Sequence, residues 1–287
     1  MLVVHPRLVR YLTIQRLADP EGVFVCSAPP AVRHLTNLRM ACPGGVFLES
    51  RMARMAILVD LAFFLKRYAR IKRACVSNTF DARNTALAVW NAAITHARRQ
   101  RDEIYRILVY DCSPLKKKAH NPVTGRSIDF SNTPEHNFRC ALHSELIRLR
   151  KVALRLGELA DRRRWIIRPH AMKRLLEGSL RLDQLQENDV IYDIEQKGVD
   201  IKIGIDIASI AYKKLAERIV LISGDSDFVP AAKLARREGL DFILDPLWAP
   251  ITPSLNEHID GLNSSLSRPC APAKKEEPLI PSLLDAE

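Results

Sequence analysis

Residues 218–245 read RIVLISGDSDFVPAAKLARREGLDFILD. Arg218-Ile219-Val220-Leu221-Ile222 is a continuous apolar run, the pattern of a strand covered on both faces, and Ser223-Gly224-Asp225-Ser226-Asp227 stops it. Pro230 to Glu238 reads as a helix closed by Gly239, and Asp241-Phe242-Ile243-Leu244 as a further strand ending at Asp245. Strand, helix and strand in immediate succession form a crossover unit, which calls for a parallel sheet with helices packed on its faces.

The same rhythm extends upstream. Ala56-Ile57-Leu58-Val59 is an apolar run ending at Asp60. Leu61 to Ile71 and the Ala-rich Asp81 to Gln100 read as helices, and Tyr105 to Tyr110 as a strand stopped by Asp111-Cys112-Ser113-Pro114. A polar loop follows, KKKAHNPVTGRSIDFSNTPEH. Beyond it the spacing of Phe138, Leu142, Leu146, Leu149, Val152 and Leu156 predicts one long amphipathic helix from about Glu135 to Leu159. Trp165-Ile166-Ile167 reads as a short strand, and Ala171 to Glu177 and Asp200 to Leu215 as helices. The expected architecture is α/β and Rossmann-like: three layers around a central, mainly parallel sheet, with a basic helical insertion over about 112–196.

The chain ends read differently. Residues 1–51 carry Pro6, Pro20, Pro29, Pro30, Pro43 and Gly44-Gly45 without a sustained period, and are expected to be a poorly structured extension. Met52 and Met55 stand directly before the first strong strand as alternative start sites. The ordered domain is expected over 52–263, and the Ser-, Pro-, Lys- and Glu-rich stretch 264–287 as a disordered tail.

Composition narrows the function classes. Lys and Arg number 44 against 33 Asp and Glu, a net charge of +11 that raises the prior for a polyanionic partner. No apolar run approaches a membrane span and no signal-peptide core is visible, so a cytoplasmic protein without a membrane partner is expected. The cysteines form no CxxC pair, which argues against a zinc module. Neither a P-loop nor a dinucleotide-binding glycine pattern occurs, and no GxSxG or HExxH context surrounds His136, His143 or His258, which read as incidental.

What remains is acidic. Asp60, Asp111 and the pair Asp225 and Asp227 each follow a strand, with Asp245 after a fourth. In a parallel sheet these ends share one edge, where ligands gather. A lone strand-end Asp is often only a helix cap, and that reading stays open for Asp225 and Asp227. Several on one edge repel one another unless a hard divalent cation joins them, so Mg²⁺ or Mn²⁺ is the expected cofactor. Asp200, entering its helix after Lys197-Gly198-Val199, is the better ligand candidate. Asp206 reads as a supporting or structural acid, and Lys202 as a phosphate contact or an acid's partner.

Three segments, AILVDLAFFLKRY, KGVDIKIGIDIA and VLISGDSDFVPAAKLARREGLDFIL, resemble the NYN domains of the LabA-like group, within the PIN-like nuclease superfamily. The resemblance spans roughly Met55 to Gly261. It implies a PIN-like fold and a Mg²⁺- or Mn²⁺-dependent ribonuclease site, with Asp60, Asp200, Asp225 and Asp227 as catalytic and metal-binding acids. Asp206, Lys202 and Ser223 would support them. One position departs: where many members carry Asn three residues after the first Asp, this chain has Phe63.

The 112–196 block is rich in basic residues, and a rim of Lys116, Lys117, Lys118, Arg162, Arg163 and Lys197 suits the flanking phosphates of RNA, single-stranded by preference. Tyr110, Trp165 and His120 read as base-stacking candidates or core. The leading expectation is metal-assisted hydrolysis of RNA phosphodiesters, with room for a homo-oligomer. The alternative is a non-catalytic RNA-binding or regulatory module on the same fold. A phosphatase with a nucleophilic Asp is disfavoured, because the second Asp such enzymes want is Ala62 here.

Overall fold

The structure is a computed structural model, and it describes residues 52–75 and 81–269. The expectations for residues 1–51 and for 270–287 of the tail lie outside the described residues. The strands are β1 (Arg54–Asp60), β2 (Glu103–Cys112), β3 (Lys118–His120), β4 (Ser127–Asp129), β5 (Val152–Ile167), β6 (Val190–Lys197), β7 (Arg218–Ile222), β8 (Asp241–Asp245) and β9 (Gly261–Leu262). The helices are α1 (Leu61–Cys75), α2 (Ala82–Gln100), α3 (Pro134–Arg148), α4 (Pro169–Leu176), α5 (Val199–Tyr212), α6 (Val229–Arg237) and α7 (Pro253–Glu257).

Seven strands form one sheet in the order β6-β5-β2-β1-β7-β8-β9, every neighbouring pair parallel except β5 with β6. β1 shows why its sequence is apolar without a break. Met55, Ile57 and Val59 point into a core with Phe64 of α1, Val89 and Ala93 of α2, and Leu142 and Leu146 of α3. Ala56 and Leu58 point the other way, onto Ile203 and Ile207 of α5 and Ala232 of α6. A strand buried on both faces has no position for a polar side chain.

The order also fixes where chemistry can occur. From β1 the chain builds outward through β2 and β5, then returns to the other flank of β1 for β7, β8 and β9. The sheet therefore switches direction between β1 and β7, and a crevice opens beyond the carboxyl ends of those two strands.

The middle of the chain differs from the sequence expectation. The helix expected over Glu135 to Leu159 is α3, which ends at Arg148; the chain turns through Lys151, at φ +64°, and becomes β5. Val152 to Gly157 pair with Ile107 to Cys112 of β2. Leu149, Val152 and Leu156 fit a helical period, but β2 had an open edge, and pairing that edge won over local period. β5 then runs on past the end of β2, pairing antiparallel with β6 as a two-stranded arm. The loop at 116–136 holds the β3–β4 hairpin. The block 112–196 is thus not a helical insertion: it supplies two strands of the main sheet as well as α3 and α4.

The arm has its own stitching. Lys117 Nζ donates to Asp161 and to the Tyr192 hydroxyl, which itself donates to Asp161 at 2.7 Å. Hydrogen bonds from Lys117 and then Tyr192 hold the Asp161 carboxyl down at about 2. Trp165 and Phe130 each pack on the Tyr192 ring at 5.3 Å between centroids. Trp165 is therefore occupied in this cluster, and Tyr110, fully buried, is core; neither offers a free face to a base, whereas His120 is exposed.

Candidate functional site

Asp60 is the last residue of β1, at the switch in strand order. Its Oδ1 accepts the Phe63 backbone N–H at 3.0 Å, so the acid also starts α1, and its Oδ2 lies 3.5 Å from Ser223 Oγ at the end of β7. Burial pushes the Asp60 carboxyl up to about 6; the charges of Asp200 and Asp111 add to this, against the Phe63 and Ala62 N–H groups.

Asp200 reaches the same edge by a different route. β6 runs back to its end at Lys197, Gly198 turns the chain at φ +78°, and α5 begins with Asp200 in its first turn. The left-handed backbone at Gly198 is why glycine stands before Val199-Asp200. Burial raises the Asp200 carboxyl, and the charges of Asp225 and Asp227 raise it further. Asp225 caps the short turn 226–228 that leads into α6, accepting the Asp227 N–H at 3.0 Å. The capping reading of Asp225 is therefore correct, and it coexists with the charge that both exposed acids exert on Asp200.

Four carboxylates from distant parts of the chain thus act on one another electrostatically: Asp60 with Asp200, and Asp200 with Asp225 and Asp227. Their donor chemistry, hard oxygens beside the buried Ser223 hydroxyl, suits a hard divalent cation. A doubly positive ion would relieve the repulsion that raises Asp60 and Asp200. Among the described residues, no group of three His, Cys, Asp or Glu side chains forms a ready ligand cage.

Other residues singled out in the sequence do different work. Asp206 accepts the Tyr110 hydroxyl at 2.8 Å and pairs with Arg155 at 3.4 Å, so it is tied into the sheet–α5 interface. Lys202 donates to the Leu156 carbonyl at 2.5 Å and has no acid partner among the described residues. Asp245 stands at a strand end apart from these acids, and Asp111, whose charge reaches Asp60, turns its carboxyl to the α3 side of the sheet. Asp111, 1% exposed, faces α3 and accepts from Arg139 and His143. Asp245, fully buried, lies 2.8 Å from His96 and accepts N–H groups of Leu247 and Ser265. Of the basic rim, Lys117, Lys118 and Arg162 pair with Asp161, Asp129 and Glu195; Lys116, Arg163 and Lys197 have no acid partner among the described residues. Arg163 stands out from the arm at an irregularity where the β5–β6 register shifts, with φ +54°.

Two features were missed in the sequence. Arg139 and His143 sit four residues apart on one face of α3, the spacing that lets both reach Asp111. Phe63 lays its ring against Gly224: a Cβ on residue 224 would come within 2.8 Å of Phe63 Cε2. Gly224→Ala is therefore expected to cost about 1–3 kcal/mol by overpacking. Urea unfolding of Gly224→Ala, Phe63→Leu and the double variant checks this, because the smaller side chain should restore most of the loss. An unchanged midpoint in the single variant would contradict the contact.

Residues 128–249 match the family model of the NYN domain, a domain of the PIN-like nuclease superfamily. The matched span includes Asp200, Asp225 and Asp227, while β1 with Asp60 lies before it. No curated protein matches the chain. Among solved structures, a protein of unknown function from Vibrio parahaemolyticus RIMD 2210633 is similar at 17% identity and a TM-score of 0.38, covering 75% of this chain and 94% of that one. No helix among the described residues is long and apolar enough to cross a membrane.

Proposed function

We propose that the crevice beyond β1 and β7 cleaves phosphodiester bonds of RNA, single-stranded by preference, with Mg²⁺ or Mn²⁺ held by Asp60, Asp200, Asp225 and Asp227. The observation that supports this reading is the chain of charge interactions from Asp60 to Asp200 and from Asp200 to Asp225 and Asp227, beyond strands that flank the switch in strand order, on a chain whose residues 128–249 match the NYN domain. When bound, such an ion neutralises the scissile phosphate and acidifies a water for attack on phosphorus. The chain's own contribution is positioning. Phe63 N–H and Ser223 Oγ orient Asp60, and the Asp227 N–H fixes Asp225. Lys116, Arg163 and Lys197, free of acid partners among the described residues, are the cations available to phosphates on either side.

Single-stranded RNA incubated with Mn²⁺ tests the reading. The wild-type chain should cleave it, and Asp225→Asn, which loses a ligand rather than a supporting partner, should cleave at least about 100-fold more slowly. Equal rates for the two proteins would defeat the assignment. Retention of RNA without cleavage by either would select the alternative of a non-catalytic RNA-binding module, which the Phe63 substitution beside Asp60 favours.

A further inference from the structure

Between the start of α3 and the root of the β5–β6 arm lies a cleft of about 340 Å³ that the four acids do not use. It opens at the carboxyl end of β2, where Asp111 follows Tyr110, the residue level with Asp60 on the neighbouring strand. Asp111 forms its floor. One nitrogen of Arg139, Nη1, donates to both Asp111 oxygens at 2.7 and 2.6 Å, and His143 Nε2 stands 2.7 Å from the second. Burial opposes the charge on Asp111, but hydrogen bonds from His143 and Arg139 outweigh it and hold the carboxyl below its ordinary value.

This arrangement leaves Arg139 fixed and charge-compensated, with Nε and Nη2 making no hydrogen bond among the described residues. A compensated guanidinium draws phosphate poorly, but its two remaining donors match a pair of acceptors on a planar base. One turn earlier on α3, exposed Glu135 lines the same cleft and has no cationic partner among the described residues. Phe130 supplies an apolar wall, and Thr133 and Gln196 polar ones. Guanine presents acceptors at O6 and N7, which suit the Arg139 donors, and N–H donors on its Watson–Crick edge, which suit a carboxylate. Adenine presents a donor at the corresponding O6 position and lacks the N1–H. The volume is at the lower end of ligand pockets, enough for a base with little else.

We propose that this cleft is a guanine-binding pocket, with Arg139 reading the O6/N7 edge and Glu135 the Watson–Crick edge. For a base carried on RNA the proposal rests on the RNA reading above, whereas a free guanine nucleotide would use the same contacts. Calorimetry on the full chain with chelator present separates this from cleavage, since no catalysis is required. Guanosine monophosphate should bind at least about tenfold more tightly than the adenosine, cytidine and uridine monophosphates, the discrimination a bidentate contact supplies. Arg139→Lys keeps a cation beside Asp111 but loses the fork, and Glu135→Gln alters an exposed group; each should lose about tenfold in guanosine monophosphate affinity. Thermal unfolding of both variants verifies that they are folded. An oligouridine strand carrying one guanosine, bound more tightly than the all-uridine strand, assigns the pocket to RNA; preference for the free nucleotide alone assigns it to a nucleotide ligand. Equal binding of the four monophosphates, or wild-type affinity in both variants, overturns the proposal.

Discussion

Asp60→Asn is expected to make the chain more stable at neutral pH while removing the proposed RNA cleavage. The folded-state carboxyl titrates at about 6, above its ordinary 3.8, because burial and the charge of Asp200 disfavour ionisation. A raised folded value means that the neutral acid is the one the fold prefers. Its contribution is fully present below 3.8 and is lost as pH rises through about 6. Above that range the ionised group costs up to about 3 kcal/mol, because each tenfold change in a proton affinity is worth about 1.4 kcal/mol. Asn cannot ionise, and it keeps a carbonyl oxygen for the Phe63 N–H. In chelator-treated protein, urea unfolding at neutral pH should therefore show a gain of roughly 1–3 kcal/mol, vanishing as pH falls toward the ordinary carboxylate range. A group that weakens the fold in the state in which it works is the mark of a site kept for function. Loss of stability in Asp60→Asn at neutral pH would instead make the acid structural.

The second large effect has the opposite sign. Asp245 also ends a strand, but Asp245→Ala should cost about 3–5 kcal/mol, because it strands several hydrogen-bond donors at once and an unpartnered buried donor costs about 1–3 kcal/mol. Both Asp245 and His96 are almost inaccessible, at 0% and 2% side-chain exposure. Asp245 further accepts the backbone N–H groups of Leu247 at 2.9 Å and Ser265 at 3.0 Å, and the Ser265 hydroxyl at 2.5 Å. The variant leaves the buried His96 ring and Leu247 N–H without that acceptor, and takes it from the part-buried Ser265 groups. Against a typical total of about 5–15 kcal/mol, the unfolding midpoint should fall steeply. A loss under about 1 kcal/mol would show that this network does not hold the α2–β8 junction.

The contrast between Asp60 and Asp245 marks the limit of what the sequence discloses. Both follow an apolar strand, and sequence spacing cannot tell which meets other acids and which meets a histidine 149 positions away. Alternation decides the case of Asp111: it stands one residue beyond Tyr110, the partner of Asp60, so its side chain turns to the α3 face. The strands β1, β7 and β8 were legible because burial on both faces leaves uninterrupted apolar runs. β5 was not. Leu149, Val152 and Leu156 satisfy a helical period, and the arm beyond has one wet face and three consecutive arginines, which obscure a two-residue period. The KGVD segment gave the start of α5 correctly, since Gly198 is needed for the turn, but it could not show that Lys202 would be spent on the Leu156 carbonyl.

Titration of the chain with Mn²⁺, with the free ion detected by electron paramagnetic resonance, tests most directly whether the four acids act as one site. Wild type should bind the ion, Asn at position 60, 200, 225 or 227 should each weaken it by about 10–100-fold, and Asp206→Asn should leave it unchanged because that acid is engaged by Tyr110 and Arg155. Wild-type affinity in Asp60→Asn, Asp200→Asn and Asp225→Asn alike would contradict the account.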